Sequence, residues 1–452
     1  MQRDVAYDVV AHEAKTKFSD LPQSTVKITK KFILDTLGVA IAGSTASGCK
    51  EVASYLKEVG GKKESAIIMF GHKVPNFQAA FVNGMLCHAL DFDDTHEGAI
   101  VHANSTILPA ALAMAESVGG ISGESFILAY VLGVDFACRI GLATGLKQGW
   151  HYTSVCGYFG SALTSAKILG LSERETLNAL GIAFSQVGGT HQPIVDTALV
   201  KRMHPGFAAR GGVFSAMLAK QGMTGSKGIF EGEFGFFNRY ERGNADILRK
   251  DLGKVFEIDH LSAKPYPCCM CTHGAITGVL DLVKEHNIRP EDVKEVEIIT
   301  SRYVNGLIGS PFEIRDNPQV DAQFSGPYTV AASIIRRRFG IGEIQEDSIR
   351  NPQILALAER VRCTVDDSIK TYLTPVTVRI DLKNGGSFSK KVEVLKGNPA
   401  NPMTEEEDIE KFKDCVKFGV KRMSGNRRDK LVQLILHLET LSDVREIIRY
   451  LR

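Results

Sequence analysis

Along the first half of the chain, apolar and polar positions recur at helical spacing. Ile33, Leu34, Leu37 and Ile41 fall on one face, and such a three-to-four-residue recurrence predicts an amphipathic helix packed on a core. Ile107, Leu108, Ala111, Leu112 and Ala115 form a second stripe, Ser125 to Ile140 is apolar almost all round, and Ser161 to Leu169 is rich in Ala and Ser. Helices of this kind belong at the centre of a domain, packed closely. Ser172 and Glu175 spell a capping box ahead of Leu177 and Leu180, because hydroxyl and carboxylate together satisfy backbone N–H groups that a helix start leaves open.

After Lys264 the period changes. Val296 and Ile298 alternate with glutamates, and Val376, Val378, Ile380 and Leu382 alternate up to Asn384-Gly385-Gly386, with Val392 and Val394 beyond. A period of two predicts strands with one buried face, and the Gly-rich turn joins two of them as a hairpin. Gly397, Pro399 and Pro402 interrupt the pattern, and Thr404 with Glu407 restarts helix through Ile409, Phe412 and Val416. The pattern therefore predicts a helical domain over residues 1–264, a smaller α+β domain over 265–400, and C-terminal helices over 401–452 that rejoin the first domain.

Composition narrows the function classes. At 452 residues the chain exceeds what one core usually supports, and 44% hydrophobic with 23% charged residues is the balance of a globular protein. The 54 basic and 52 acidic residues are mixed along the length, so the net charge of +2 sets up no field for nucleic acid or an anionic membrane. No stretch approaches the roughly 20 uninterrupted apolar residues of a membrane span, and Met1-Gln2-Arg3-Asp4 resembles no leader. Nine cysteines, an odd number spread from Cys49 to Cys415, suit reduced thiols in the cytoplasm.

Four segments carry candidate chemistry. Asp91-Phe92-Asp93-Asp94-Thr95-His96-Glu97 places four carboxylates so close that some must meet cations or hydrogen-bond donors, with His88 and His102 nearby. Trp150-His151-Tyr152-Thr153-Ser154 sets the only tryptophan beside a histidine, ahead of a small-residue helix expected to start near Ser161. Lys201-Arg202-Met203-His204-Pro205-Gly206 begins an Ala-rich helix, and a basic helix start can hold carboxylates. Lys264 to His273 holds Cys268, Cys269 and Cys271 behind two prolines. The plain alternatives are a solvated acidic loop, a histidine packed at a helix end, a basic surface turn and buried apolar cysteines. Cys-Cys-x-Cys is too tight to furnish four tetrahedral ligands, so no metal is expected. Gly43 to Lys50 falls short of a phosphate-binding loop, since Cys49 separates Gly48 from Lys50 and no hydroxyl residue follows.

In this order and at these intervals the segments resemble the MmgE/PrpD family: Asp35-Thr36-Leu37-Gly38, Asn83-Gly84 through Asp91 to Thr95, Gly149-Trp150-His151, Lys201 with His204 and Ala208-Ala209-Arg210, and Lys264 to His273. The resemblance implies a large all-α helical domain with a smaller α+β lid, a homodimer, an active cleft between the domains, and no metal or organic cofactor. It also implies a lyase acting on a small polycarboxylic acid. Dehydration of a 2-methylcitrate or citrate type is favoured, with cis-aconitate-type decarboxylation and iminodisuccinate-type epimerisation as alternatives and a catalytically inert polycarboxylate-binding protein as the non-enzymatic one. The decarboxylases' site positions match Asp91, Thr95, His102, His151, Lys201, Lys264 and Tyr303. Cys269 stands where the decarboxylases carry a histidine, and it is counted with the catalytic set.

Such chemistry builds negative charge next to a carboxylate, so it needs cations and a positioned acid/base pair. Lys201 and Lys264 are expected to anchor carboxylates, supported by Arg202, His204 and His273. His151 and His102 are expected to carry protons, Asp91 to orient a histidine or act as base, and Thr95 and Tyr303 to supply hydrogen bonds.

Overall fold

A computed structural model of the chain describes residues 3–145 and 149–452. Met1 and Gln2, part of the N-terminal stretch compared with leader sequences above, lie outside the described residues. The fold separates into two compact units. The first comprises Met1–Ala89, Asp93–Ser262 and Thr404–Arg452; the second comprises Leu90–Phe92 and Ala263–Met403.

The first unit is helical apart from one small ribbon, β1 (Ser65–Ala66) paired antiparallel with β2 (Lys73–Val74), an addition to the all-helical domain expected. Ile33, Leu34, Leu37 and Ile41 are all buried in the helix Gln23–Gly43. The helix Gly123–Ala143 is 21 residues long and apolar enough to cross a membrane by length and composition, although Glu124, Asp135 and Arg139 interrupt its apolar run. Its most apolar window is 94% buried, so protein neighbours rather than lipid surround it. At the centre lies the helix Tyr152–Leu169, packed on the helices Asn104–Val118, Gly123–Ala143, Glu173–Phe184 and His204–Lys220. It starts at Tyr152 rather than near Ser161, which makes His151 its N-cap.

Two crossings position the residues discussed below. The helices Asn76–His88 and His204–Lys220 meet at Gly84 and Gly206, where a Cβ on Gly84 would lie 2.8 Å from the Gly206 Cα, so a side chain there would force the helices apart. The helix Glu405–Lys417 packs on Gln23–Gly43, with the Lys411 ammonium 2.6 Å from the Asp35 carboxylate. Both predicted capping boxes, Ser172 with Glu175 and Thr404 with Glu407, are formed.

The second unit holds a four-stranded sheet in the order β4-β3-β5-β6, comprising β3 (Val293–Thr300), β4 (Val361–Val365), β5 (Val376–Leu382) and β6 (Ser387–Val392). β5 and β6 form the predicted hairpin, with Val376 opposite Val392 and Ile380 opposite Phe388. Val376, Val378 and Ile380 are buried and alternate with half-buried residues. β4 runs parallel to β3, and the helix Met270–Glu285 packs on β5 and β6.

Candidate active site

The acidic segment solves its crowding by giving each carboxylate a different partner. Asp93 lies 2.7 Å from His88 Nδ1, with both side chains fully buried. Asp94 accepts the N–H groups of Ala103 and Asn104 at 3.0 and 3.1 Å, at the start of the helix Asn104–Val118. Burial, then Asp93 and Asp35, push the Asp94 carboxyl well above its ordinary range, and these two N–H groups pull against that rise. Glu97 accepts from the Ser262 hydroxyl at 2.6 Å. Asp91 belongs to the second unit, where its carboxylate lies 3.3 Å from the Lys264 ammonium. Its φ of 50° is costly for a residue other than glycine and frequent where geometry serves function.

His102 is fixed in one tautomer. Its Nδ1 lies 2.5 Å from the Asp94 carbonyl and 3.0 Å from the Thr95 hydroxyl. A carbonyl can only accept, so Nδ1 carries the proton and Nε2 of the neutral ring carries the lone pair. The His102 backbone N–H is held at 3.0 Å by the Thr153 hydroxyl, which ties the loop to the central helix.

Four further histidines gather around this ring. His88 lies 5.1 Å from His102 and 5.6 Å from His151 between ring centres, and His151 lies 5.1 Å from His204 and 5.8 Å from His191. The Nδ1 atoms of His151 and His204 are 2.9 Å apart, so one donates and the other accepts. Two protonated rings could not share that contact. Burial, reinforced by His88 and Lys201, lowers His204 to about 4. Burial, reinforced by His88, Lys201, His204 and His102, lowers His151 well below 6.5. Burial followed by Lys201 lowers His191 as well. Lys201, in the short turn Leu199–Met203, thus lies close enough for its charge to act on three of the rings. The Gly189 backbone closes the group: a Cβ there would lie 2.9 Å from the Ser154 hydroxyl and 3.5 Å from His204 Nδ1, at a φ of +110°.

These lowered values carry a stability prediction. In the unfolded chain His204 takes a proton near 6.5, while in the folded protein it stays neutral down to about 4. Between those values the unfolded state binds more protons, so stability should fall as pH drops through that window and level off below it. The shift of His204 alone corresponds to at most about 3 kcal/mol, less whatever solvent screening relieves. Denaturant titrations at several pH values, repeated with His204→Gln, check this. An identical pH slope in the variant removes His204 as the source.

In the second unit, Lys264 is buried and also donates to the Asp91 backbone carbonyl at 2.9 Å. The Cys269 N–H donates to the Gln323 carbonyl at 3.0 Å, and the Gln323 amide donates to the Pro267 carbonyl at 3.2 Å and to the Leu90 carbonyl. The three thiols differ in kind. Burial pushes Cys268 up, whereas a hydrogen bond from Cys271 holds Cys269 below its ordinary value and drives Cys271 well above its own. Tyr303 is 39% exposed, packs edge-on to Tyr372, and is raised by burial and then by Cys271 and Cys269. His273 is buried, with Nε2 3.2 Å from the Cys268 carbonyl and its ring against Tyr266. Among the described residues, Cys268, Cys269, Cys271 and His273 do not bring three ligand atoms within 4.8 Å of one another.

Within the first unit, then, Thr95, His102, His151, Lys201 and His204 come together, while Arg202 donates to the Ser47 carbonyl at 2.8 Å, in the loop before the helix Cys49–Val59. Asp91, Lys264, Cys269, Tyr303 and His273 belong to the second unit. Sequence reasoning missed His191 as a site residue and left His88 without a role. The Gly188-Gly189-Thr190 turn before His191 was the available signal.

The helical unit and the α+β unit each match a domain of one family: the chain belongs to the MmgE/PrpD family, its N-terminal domain matching residues 10–247 and its C-terminal domain residues 266–438. Among curated relatives it is 28% identical to the cis-aconitate decarboxylase of Homo sapiens, over 94% of this chain and 90% of that protein. It is 26% identical to the cis-aconitate decarboxylase-like protein oryM of Aspergillus oryzae, over 96% of this chain and 94% of that protein. The cis-aconitate decarboxylase of Aspergillus terreus is 26% identical, over 96% of this chain and 92% of that protein.

Proposed function

We propose that this protein is a lyase acting next to a carboxylate of a small polycarboxylic acid, with the histidine group of the first unit supplying the acid/base chemistry. The observation that carries this reading is the gathering of five imidazoles, His88, His102, His151, His191 and His204, with neighbouring ring centres 5.1 to 5.8 Å apart and burial holding His151 and His204 below the ordinary histidine value. The Nδ1 contact between His151 and His204 offers a shared proton that either ring can pass on. Lys201, whose charge acts on these rings, is the cation suited to stabilise negative charge developing beside a substrate carboxylate.

Loss of CO₂ from a cis-aconitate-type acid is the first reaction to test, because the full-length relatives bear that name. Dehydration of a citrate-type acid, favoured from sequence alone, is kept as the second reading, because the resemblance sets Cys269 where decarboxylases carry a histidine. Incubation with a panel of di- and tricarboxylates in D₂O, followed by proton NMR and CO₂ capture, separates them. Decarboxylation gives CO₂ in equal amount to new vinyl signals, and dehydration gives a new conjugated double bond without CO₂. Deuterium uptake with no net conversion would mean epimerisation. Binding with neither turnover nor exchange across the panel would overturn the lyase reading.

A further inference from the structure

His96 stands in the same acidic segment as Thr95, yet it does not join the histidine group. Its Nε2 lies 3.1 Å from the Glu257 carboxylate, and its Nδ1 accepts the Ala99 N–H at 3.0 Å. A backbone N–H can only donate, so here Nδ1 carries the lone pair and Nε2 the proton, the opposite tautomer from His102. Glu257 is itself anchored, its N–H donating to Asp135 at 2.9 Å, and Asp135 is paired at 2.7 Å with Arg139. Burial would raise the Glu257 carboxyl, but the His96 hydrogen bond and the nearby Arg139 guanidinium help to outweigh it and hold the group below its ordinary value, as befits an ionised acceptor.

The backbone around His96 forms a closed loop with Thr95 at one end and His102 just past the other. The His96 N–H donates to the Val101 carbonyl at 2.8 Å and the Ile100 N–H to the His96 carbonyl at 2.7 Å, while Thr95 and Ser262 exchange both backbone bonds at 2.9 and 2.8 Å. Ile100 is held at a φ of 54°, which for a β-branched residue is strained and persists only where surrounding contacts impose it. The side-chain bond to Ala99, one residue before the strained position, is such a contact.

We propose that His96 is a positioning residue for Thr95 and His102: by joining Ala99 to Glu257 it fastens the loop 95–101, and the fastened loop sets the Asp94 carbonyl and Thr95 hydroxyl against His102 Nδ1. The inference rests on the histidine site proposed above, and one arm of its test needs no substrate. In ¹⁵N-histidine-labelled resting protein, the ring nitrogens of His102 should report a single Nδ1–H tautomer, and His96→Ala should turn this into a mixture. With a substrate found, His96→Ala should lower kcat by about 10-fold or more while KM moves by less than about 3-fold, because a displaced base costs chemistry more than binding. His96→Asn, whose amide oxygen can replace Nδ1 as the Ala99 acceptor, should restore both readouts, and Glu257→Gln should fall between. Absence of turnover in the wild-type protein would sink the proposed function and leave the tautomer arm to decide this one. A His102 tautomer and kcat unchanged in His96→Ala would overturn the proposal. So would losses in the Ala and Asn variants alike that merely follow falling thermal stability.

Discussion

His151→Ala should fold normally and lose at least about 10²-fold in turnover on the true substrate, the scale expected when a positioned acid/base group is removed. Folding should survive because His151 caps the helix Tyr152–Leu169 through its backbone: its N–H donates to the Gly189 carbonyl, and its carbonyl accepts from Ser154 and Val155. Alanine keeps all three bonds. What disappears is the ring, and with it the 2.9 Å Nδ1 contact to His204 and the ring neighbours His88, His102 and His191. His151→Gln separates the two roles that ring could have, since an amide can hydrogen-bond to His204 but cannot relay a proton. It should be nearly as slow as the alanine variant, with a thermal midpoint closer to that of the wild type. Steady-state kinetics beside circular dichroism and calorimetry checks both statements, and near-normal turnover in either variant would remove His151 from the mechanism.

Local chemistry was legible in the sequence and long-range assembly was not. Ser172 with Glu175 and Thr404 with Glu407 announced helix starts because a capping box is complete within four residues. The start at Tyr152 was missed because His151 caps it with no side-chain hydrogen bond, leaving nothing to read. The alternation in β5 showed its buried face, but β4, a short edge strand, is defined by its parallel register against β3. The histidines illustrate the same division. Their residue types were visible, and the crowding of His88, His96 and His102 was visible too, yet His96 and His102 end in opposite tautomers with different partners. The Ala99 N–H that decides the first is local, but Glu257, which its Nε2 proton then meets, lies 161 residues away. His191 reaches the group only because Gly189 lets its backbone run against Ser154 and His204. Arg202 reads as a carboxylate clamp beside Lys201, and the bond from its Nη1 to the Ser47 carbonyl, 155 residues away, is a partner that no local pattern shows.

Lys411→Met should destabilise the first unit by about 3–5 kcal/mol, the usual cost of removing one partner from a buried ion pair. Lys411 and Asp35 are 5% and 0% exposed in their side chains and 2.6 Å apart, so no water can replace the lost ammonium. Lys31, paired with Asp408 at 3.0 Å and more exposed, also favours the Asp35 carboxylate, but less than Lys411 does. Burial already pushes the Asp35 carboxyl above its ordinary value, Lys411 is the main group opposing that rise, and Asp93 adds to it. Without the lysine the folded-state value rises further, and a raised acid binds its proton more tightly folded than unfolded. Stability of the variant should then fall as pH rises, so its deficit against wild type should be larger at pH 8 than at pH 5. Asp35→Asn in the same background removes the stranded charge and should recover most of the loss. Denaturant unfolding of the wild type, the single variant and the double variant at both pH values tests this. A deficit of the same size at both, unrelieved by Asp35→Asn, would mean that lost packing of the lysine stem, rather than the uncompensated carboxylate, destabilises the protein.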